Sequence, residues 1–205
     1  MTDEEKRQQA EAVLRDVDLG DWSVLIDEIS PDLEDVYADG MSEGLRLLDM
    51  DVPVDHVHAL AVQWAQDRAA SLVTQISENT RSMLRSTVED ALEQRWGARE
   101  LAAAIAASTG FSYDRAETIS RSELSAANNQ GNLQGYKTAA QSGVRVLKEW
   151  LDNDSEDVCA DNADEGPIEL DEDFPSGSDA PPEHPNCLCS LAPVVLDETE
   201  SDDEE

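Results

Sequence analysis

The sequence predicts an α+β fold: a mostly helical N-terminal region followed by a helix plus small β-sheet module. Three features carry that expectation. Between residues 33 and 96, apolar side chains recur every three or four positions, the period of an amphipathic helix. After Ser142-Gly143 a β-prone stretch alternates and ends at Trp150-Leu151, as a half-buried strand does. Beyond Leu151 the chain turns acidic and rich in Pro, Gly and Ser, and it holds all three cysteines.

Taken in order, residues 1–17 offer only Ala12, Val13, Leu14 and Val17 as apolar contacts. They are expected as a short polar helix or a frayed end. Asp21-Trp22 opens a second segment, with Leu25, Ile26 and Ile29 at helical spacing. Ser30-Pro31 reads as a fresh helix start, Ser at the cap and Pro in the first turn, with Asp32, Glu34 and Asp35 suited to the positive end of the dipole. Leu33, Val36, Tyr37, Met41, Leu45 and Leu48 give that helix its buried face, and Asp51-Val52-Pro53 ends it.

From residue 54 to Trp96 there is neither Pro nor Gly. Val57, Leu60, Ala61, Trp64, Leu72 and Ile76 form one stripe, continued by Leu84, Val88, Leu92 and Trp96 after a polar patch at Glu78-Asn79-Thr80. A long helix is preferred over a hairpin hinged near Asn79. His56 and His58 are two apart, so on a helix they diverge and cannot share an ion. They are expected on the surface at the helix entry.

Gly97 stops this helix, and residues 98–107 read as a short alanine-rich helix closed by Thr109-Gly110. Asp114 to Ala140 is the next helix. Ala126, Ala127, Gly131 and Gly135 keep it thin, which permits a neighbour to approach closely and weakens it in isolation. A strand ending at Trp150-Leu151 follows, with Trp150 in the core. Residues 153–164 are expected as an acidic loop, 167–170 as a short strand and 176–185 as a further loop. Residues 187–195 close the module as a strand that Pro193 assigns to an edge. The like-charge run at 199–205 is expected to be a disordered tail.

Charge bounds the function. The 205 residues carry 47 acidic and 14 basic side chains, a net charge of −33, and only Lys6, Lys137 and Lys148 are lysines. Such a surface repels itself in dilute buffer, whereas at about 1 M salt the screening length falls to roughly 3 Å. The composition is read as adaptation to a salty, halophilic interior. It opposes contact with nucleic-acid phosphates, and no basic stripe supports DNA binding. Met1 to Ala12 lacks the pattern of a secretory signal, and the longest apolar run, Leu101 to Ala107, is far too short to span a membrane.

The chemistry concentrates near the C-terminus. Cys159, His184, Cys187 and Cys189 make a Cys3His set with zinc as the candidate cofactor. One disulfide from Cys159 to Cys187 or Cys189, and three reduced thiols, stand as alternatives. Bringing both thiols of the C-x-C pair to one point is expected to need a turn between them. A Cys–His nucleophile is the enzyme alternative, but it sits in the most acidic part of the chain, which raises a thiol pKa. No phosphate loop, H-E-x-x-H or G-x-S-x-G is present.

An ordered series runs through Arg121-Ser122-Glu123, Asn129, Gly131, Tyr136, Gly143-Val144, Lys148-Glu149-Trp150-Leu151, Asp157 to Cys159, Asp173-Phe174-Pro175 and the closing PPEHPNCLC of 181–189. It resembles the Mu F-like head morphogenesis (minor head protein) family of tailed viruses. The resemblance implies a non-enzymatic virion protein near the portal vertex, acting in head assembly, DNA packaging or ejection. Its partners would be the portal protein and a major capsid or scaffold protein, in the host cytoplasm during assembly and in the head afterwards. The resemblance makes Arg121, Glu123, Asn129, Tyr136, Gly143, Trp150, Phe174, Pro182, Pro185 and Asn186 structural residues, with Arg121-x-Glu123 fastening its helix to the β module. Relatives often carry a Cys or His soon after the first cysteine, where this chain has Asn162. Some carry a toxin or transferase domain beyond the module, and none is expected after Val195 here. Residues 1–110 are then a helical docking region, 111–196 the family module and 197–205 the acidic tail. Together with the charge, this suggests a haloarchaeal virus or provirus. The competing reading is a metal-binding prophage module with a catalytic or toxin-linked role.

Overall fold

The computed structural model describes residues 23–94, 104, 113–153 and 156–196. The helix expected over 1–17, most of the one at 98–107 and the tail at 197–205 lie outside these residues. The elements are α1 (Ser23–Leu47), α2 (Val54–Gln94), α3 (Tyr113–Gln141), β1 (Val146–Leu151), α4 (Asp157–Asp164) and β2 (Ser190–Val195). The fold is α+β, largely helical with one two-stranded antiparallel sheet. Two compact units divide the chain. Among the described residues, one gathers 28–67 with 118–196, and the other holds 23–27, 68–94 and 113–117. The second is helical wherever it is described within these elements. The first holds the sheet and every site residue discussed below.

Two helix predictions need correction or completion. The helix expected to start at Ser30-Pro31 begins instead at Ser23 and carries Pro31 in its interior. Proline there removes one backbone hydrogen bond and crowds the preceding turn, but Leu33, Tyr37, Met41 and Leu45 are all buried along one stripe. Their burial outweighs the local break. The 54–94 segment is one continuous helix of 41 residues, so no hairpin turn falls at Asn79. His56 and His58 are exposed in its first turns.

Both α1 and α3 end in the same way. The Met50 amide donates to the Leu45 carbonyl at 2.9 Å and the Asp49 amide to Arg46 at 3.1 Å. Asp49 is left-handed, at φ 55. At the end of α3, the Val144 amide donates to Ala139 at 3.2 Å and the Gly143 amide to Ala140 at 3.0 Å, with Gly143 at φ 99. This is the Schellman arrangement, in which one left-handed residue lets two orphan carbonyls be satisfied. Gly143 therefore stops the helix and turns the chain into β1.

Within this unit α1 and α3 cross at backbone contact. A Cβ on Gly131 would collide with the Tyr37 carbonyl, and one on Gly40 with the Asn128 carbonyl. On Gly135 a Cβ would lie 2.7 Å from Met41 O, and on Gly44 2.8 Å from Asn132 O. Two glycine pairs, each spaced by four, thus face one another. Beside the crossing Tyr37 stacks on Trp64 of α2, with ring centroids 5.0 Å apart and planes at 24°.

β1 pairs antiparallel with β2, from Val146 opposite Val195 to Leu151 opposite Ser190. Pro193 lies on the outer strand, as expected. On its other edge, among the described residues, β1 is bridged at Ile168, through paired bonds with Lys148 of 2.9 and 2.8 Å. The strand expected at 167–170 is therefore a single bridge. The acidic loop expected at 153–164 contains α4. Val158, Cys159, Asn162 and Ala163 lie three and four apart and supply its inward stripe, and this burial overrides the turn-prone composition. No described helix is long and apolar enough to cross a membrane.

Candidate metal centre

Three pieces of backbone deliver the sulfur cluster. Cys159 comes from α4 and is fully buried. His184-Pro185-Asn186-Cys187 forms a β-turn, closed by the Cys187 amide on the His184 carbonyl at 3.1 Å. Asn186 sits at φ 59, the left-handed third position of a type II turn, and proline before it pre-sets the second. The chain then runs extended through Cys187, Leu188 and Cys189 into β2. Alternate residues of an extended chain share a face, so both thiols point inward while Leu188 is 70% exposed. The turn expected between the two cysteines is thus not needed. It lies before them and aims the whole segment.

Among the described residues, the sulfurs of Cys159, Cys187 and Cys189 lie within 4.8 Å of one another. Cys159 Sγ is 3.8 Å from Cys187 Sγ and 3.3 Å from His184 Nε2. A tetrahedral zinc, with Zn–S about 2.3 Å and Zn–N about 2.0 Å, has S···S edges of about 3.8 Å and S···N edges of about 3.5 Å. The Cys159 distances match that figure. His184 Nδ1 lies 3.1 Å from the Pro185 carbonyl, which can accept only if Nδ1 carries the proton. That tautomer leaves the Nε2 lone pair facing Cys159, as in metal-ligating histidines held by a backbone carbonyl. The fourth group is adjacent to Cys159 rather than central to all three sulfurs.

All three cysteines are free thiols. Burial, then contact with the other two thiols, pushes the Cys159 pKa far up. Burial also raises Cys189, opposed by the Asn153 backbone N–H and the Trp150 side chain. A bound cation inverts this balance, because a coordinated thiol is deprotonated outright. Cys189 Sγ also reaches Asp152 Oδ1 at 3.5 Å.

At the position where the resemblance implies a second ligand, Asn162 does something else. Asn162, one turn beyond Cys159 and fully buried, donates through Nδ2 to Ser176 Oγ at 2.9 Å and accepts the Ser176 amide at 3.0 Å. It braces the loop that leads into the closing segment.

The other residues of the series surround this knot. Asn129 Oδ1 accepts the Leu191 amide at 3.0 Å, and Nδ2 donates to the Cys189 carbonyl at 3.4 Å. Tyr136 Oη donates to the Leu191 carbonyl at 3.2 Å. These bonds hold α3 to the start of β2. Trp150 meets Phe174 edge-on, with centroids 5.1 Å apart. Phe174 also lies under the Lys148 ammonium, 5.3 Å from the ring centre. Buried Lys148 donates to the Asp179 carbonyl at 2.8 Å, and burial lowers its pKa. Glu123 is buried, whereas Arg121 is exposed beside a groove of about 430 Å³ shared with Leu124, Ser125, Asn186, Cys187 and Leu188. Pro182 is half-buried and Pro185 exposed. Two ties escaped the sequence reading. Ser122 Oγ accepts the Asn186 amide at 3.1 Å, and Gln130 donates to Asp179 at 2.8 Å. Helical position alone could have put Ser122 and Gln130 on α3, but not opposite these loops.

The class defined here is a helix clamped to a small sheet by buried amide and phenol groups, with a sulfur cluster beneath the clamp. The family model described as phage Mu protein F like protein matches residues 82–192. That is more than half of the chain, which belongs to this family. Neither a curated protein nor a solved structure matches it.

Proposed function

We propose that this protein is a non-enzymatic minor head protein of a tailed virus. In this reading it joins the head at the portal vertex and acts in assembly, DNA packaging or ejection. Membership of the Mu F-like family over residues 82–192 carries the proposal. The buried Cys159, whose pKa is raised by burial, supports a structural role. A nucleophile needs access and a lowered pKa. The net charge of −33 favours a protein partner over direct DNA contact in a salty host of haloarchaeal type.

The docking surface is assigned to the N-terminal helices. On either side of the connection between α1 and α2, Leu47 and Val54 are 49% and 80% exposed. The test is copurification with the portal protein of the same virus in high salt, together with heads produced without this protein. Leu47→Glu with Val54→Glu is expected to cut portal recovery at least tenfold, and heads lacking the protein are expected to package poorly. Normal packaging by such heads, with the protein missing from wild-type virions, would overturn the proposal.

The same reading assigns one structural Zn2+ to Cys159, His184, Cys187 and Cys189. Zinc there would cross-link α4, the closing turn and the start of β2.

The Cys159–His184 contact of 3.3 Å favours a second reading, a catalytic thiol. Iodoacetamide at neutral pH tests it. Rapid labelling of Cys159 in the native protein would support catalysis, and slow labelling supports the structural role.

A further inference from the structure

Trp150 has a polar atom with no ordinary partner. Its side chain is almost fully buried, and among the described residues its indole Nε1–H meets no hydrogen-bond acceptor at ordinary geometry. Buried polar hydrogens are seldom left so. The strand register shows what lies nearby. Trp150 stands opposite Leu191, and Leu151 opposite Ser190. Cys189, two residues before Leu191, therefore falls on the same face and diagonal to Trp150, a separation that aromatic side chains bridge. Trp150 and Cys189 are buried in the same cluster, where Cys189 Sγ also reaches Asp152 Oδ1 at 3.5 Å. A neutral thiol is a weak acceptor, so an indole N–H on this face finds little in the free-thiol state. A metal-bound thiolate would accept it.

We infer that Trp150 is a positioning residue of the metal centre, its indole N–H donating to the Cys189 thiolate when a cation is bound. This inference rests on the zinc reading given above. Three thiolates and one neutral imidazole around a divalent cation leave a net negative charge, in a chain that already carries −33. A fixed N–H dipole on one sulfur draws off part of that charge without adding a titrating group. Cys159 meets Cys187 and His184, whereas Cys189 leads into the strand paired with the one that carries Trp150.

The test uses the full chain in chelator-free, high-salt buffer, with Co2+ as a spectroscopic probe and Zn2+ in competition. Replacing Trp150 with 3-benzothienylalanine keeps the ring shape and removes only the N–H. Sulfur relieved of a donor gives up charge to the metal more readily. The sulfur-to-cobalt charge-transfer band is therefore expected to move to longer wavelength, and metal affinity to fall by about 10- to 100-fold, the usual effect of losing an outer-shell partner. Phe174→Leu serves as the packing control. It disturbs the ring that Trp150 meets edge-on but keeps the N–H, so its band should stay in place. An unchanged band and affinity in the benzothienyl variant would overturn the inference and leave Trp150 as packing alone. A wild-type chain that shows no charge-transfer band would overturn the zinc reading itself, and this role for Trp150 with it.

Discussion

Gly135→Ala is the sharpest probe of how the module is held together. A Cβ at this position would lie 2.7 Å from Met41 O and 3.1 Å from Leu45 N, both backbone atoms of α1. Ordinary contact begins near 3.4 Å, so the two helices must part by about 0.7 Å or twist by an equivalent amount. A gap of about 0.5–1 Å forfeits roughly a quarter to a half of each dispersion contact it opens. The contacts opened belong to buried Tyr37, Met41 and Leu45. Overpacking of this kind costs about 1–3 kcal/mol, toward the upper end because no flexible side chain can yield. Alanine's better helix propensity returns about 1 kcal/mol. The expected net effect is a loss of about 1–2 kcal/mol, and a larger one for Gly131→Ala, whose Cβ would collide with the Tyr37 carbonyl. Urea unfolding followed by circular dichroism in constant high salt reads this out. With a slope of about 1–3 kcal/mol per molar, the midpoint should fall by about 0.5–1 M. Gly143→Ala is the contrast. It has open space around it but φ 99, so it should lose stability through backbone strain without any steric clash. A midpoint raised by Gly135→Ala, as propensity alone dictates, would refute the close crossing.

Asn129→Leu should lower stability by about 2–4 kcal/mol in the same assay, because it orphans the Leu191 amide and the Cys189 carbonyl; Asn128→Leu, at an exposed position, should be nearly neutral. Burial raises the Tyr37 pKa to about 12, so the folded state holds its proton more tightly than the unfolded one. The stability this gives is complete below pH ~10 and lost as pH climbs through about 12. Tyr37→Phe should flatten that part of the pH profile, and an unaltered profile would show the hydroxyl to be solvated. Plasma mass spectrometry of chelator-free protein should find about one zinc per chain, lost with Cys187→Ser and accompanied by a lower unfolding midpoint. Metal-free protein with three freely labelled thiols would leave the closing segment as turn and packing only.

Much of this was legible because it is local. The apolar period set α1 and α2; Gly143 marked the helix stop; alternation put Trp150 inside; and Pro193 marked an outer strand. Gly131 and Gly135 announced a close neighbour, and the three cysteines with His184 stood out as a set before any contact was visible. These are statements about φ, ψ and which face a residue occupies, and neighbouring residues suffice to make them.

Tertiary structure alone decided the rest. Nothing near Gly40 and Gly44 says that they meet Gly131 and Gly135, because the carbonyls they must clear lie about 90 residues away in the chain. Pro31 is a sound helix start by local rules and became a helix interior once Leu33, Tyr37 and Met41 were buried together. Asp157–Asp164 reads as a loop by composition and is helical because Cys159 and Asn162 face a core that the sequence around them does not contain. Asn162 stands at a ligand's spacing from Cys159, yet its partner is Ser176. Backbone preference is fixed by a few adjacent residues, whereas burial depends on which distant surfaces close over a segment, and that is settled only when the whole unit packs.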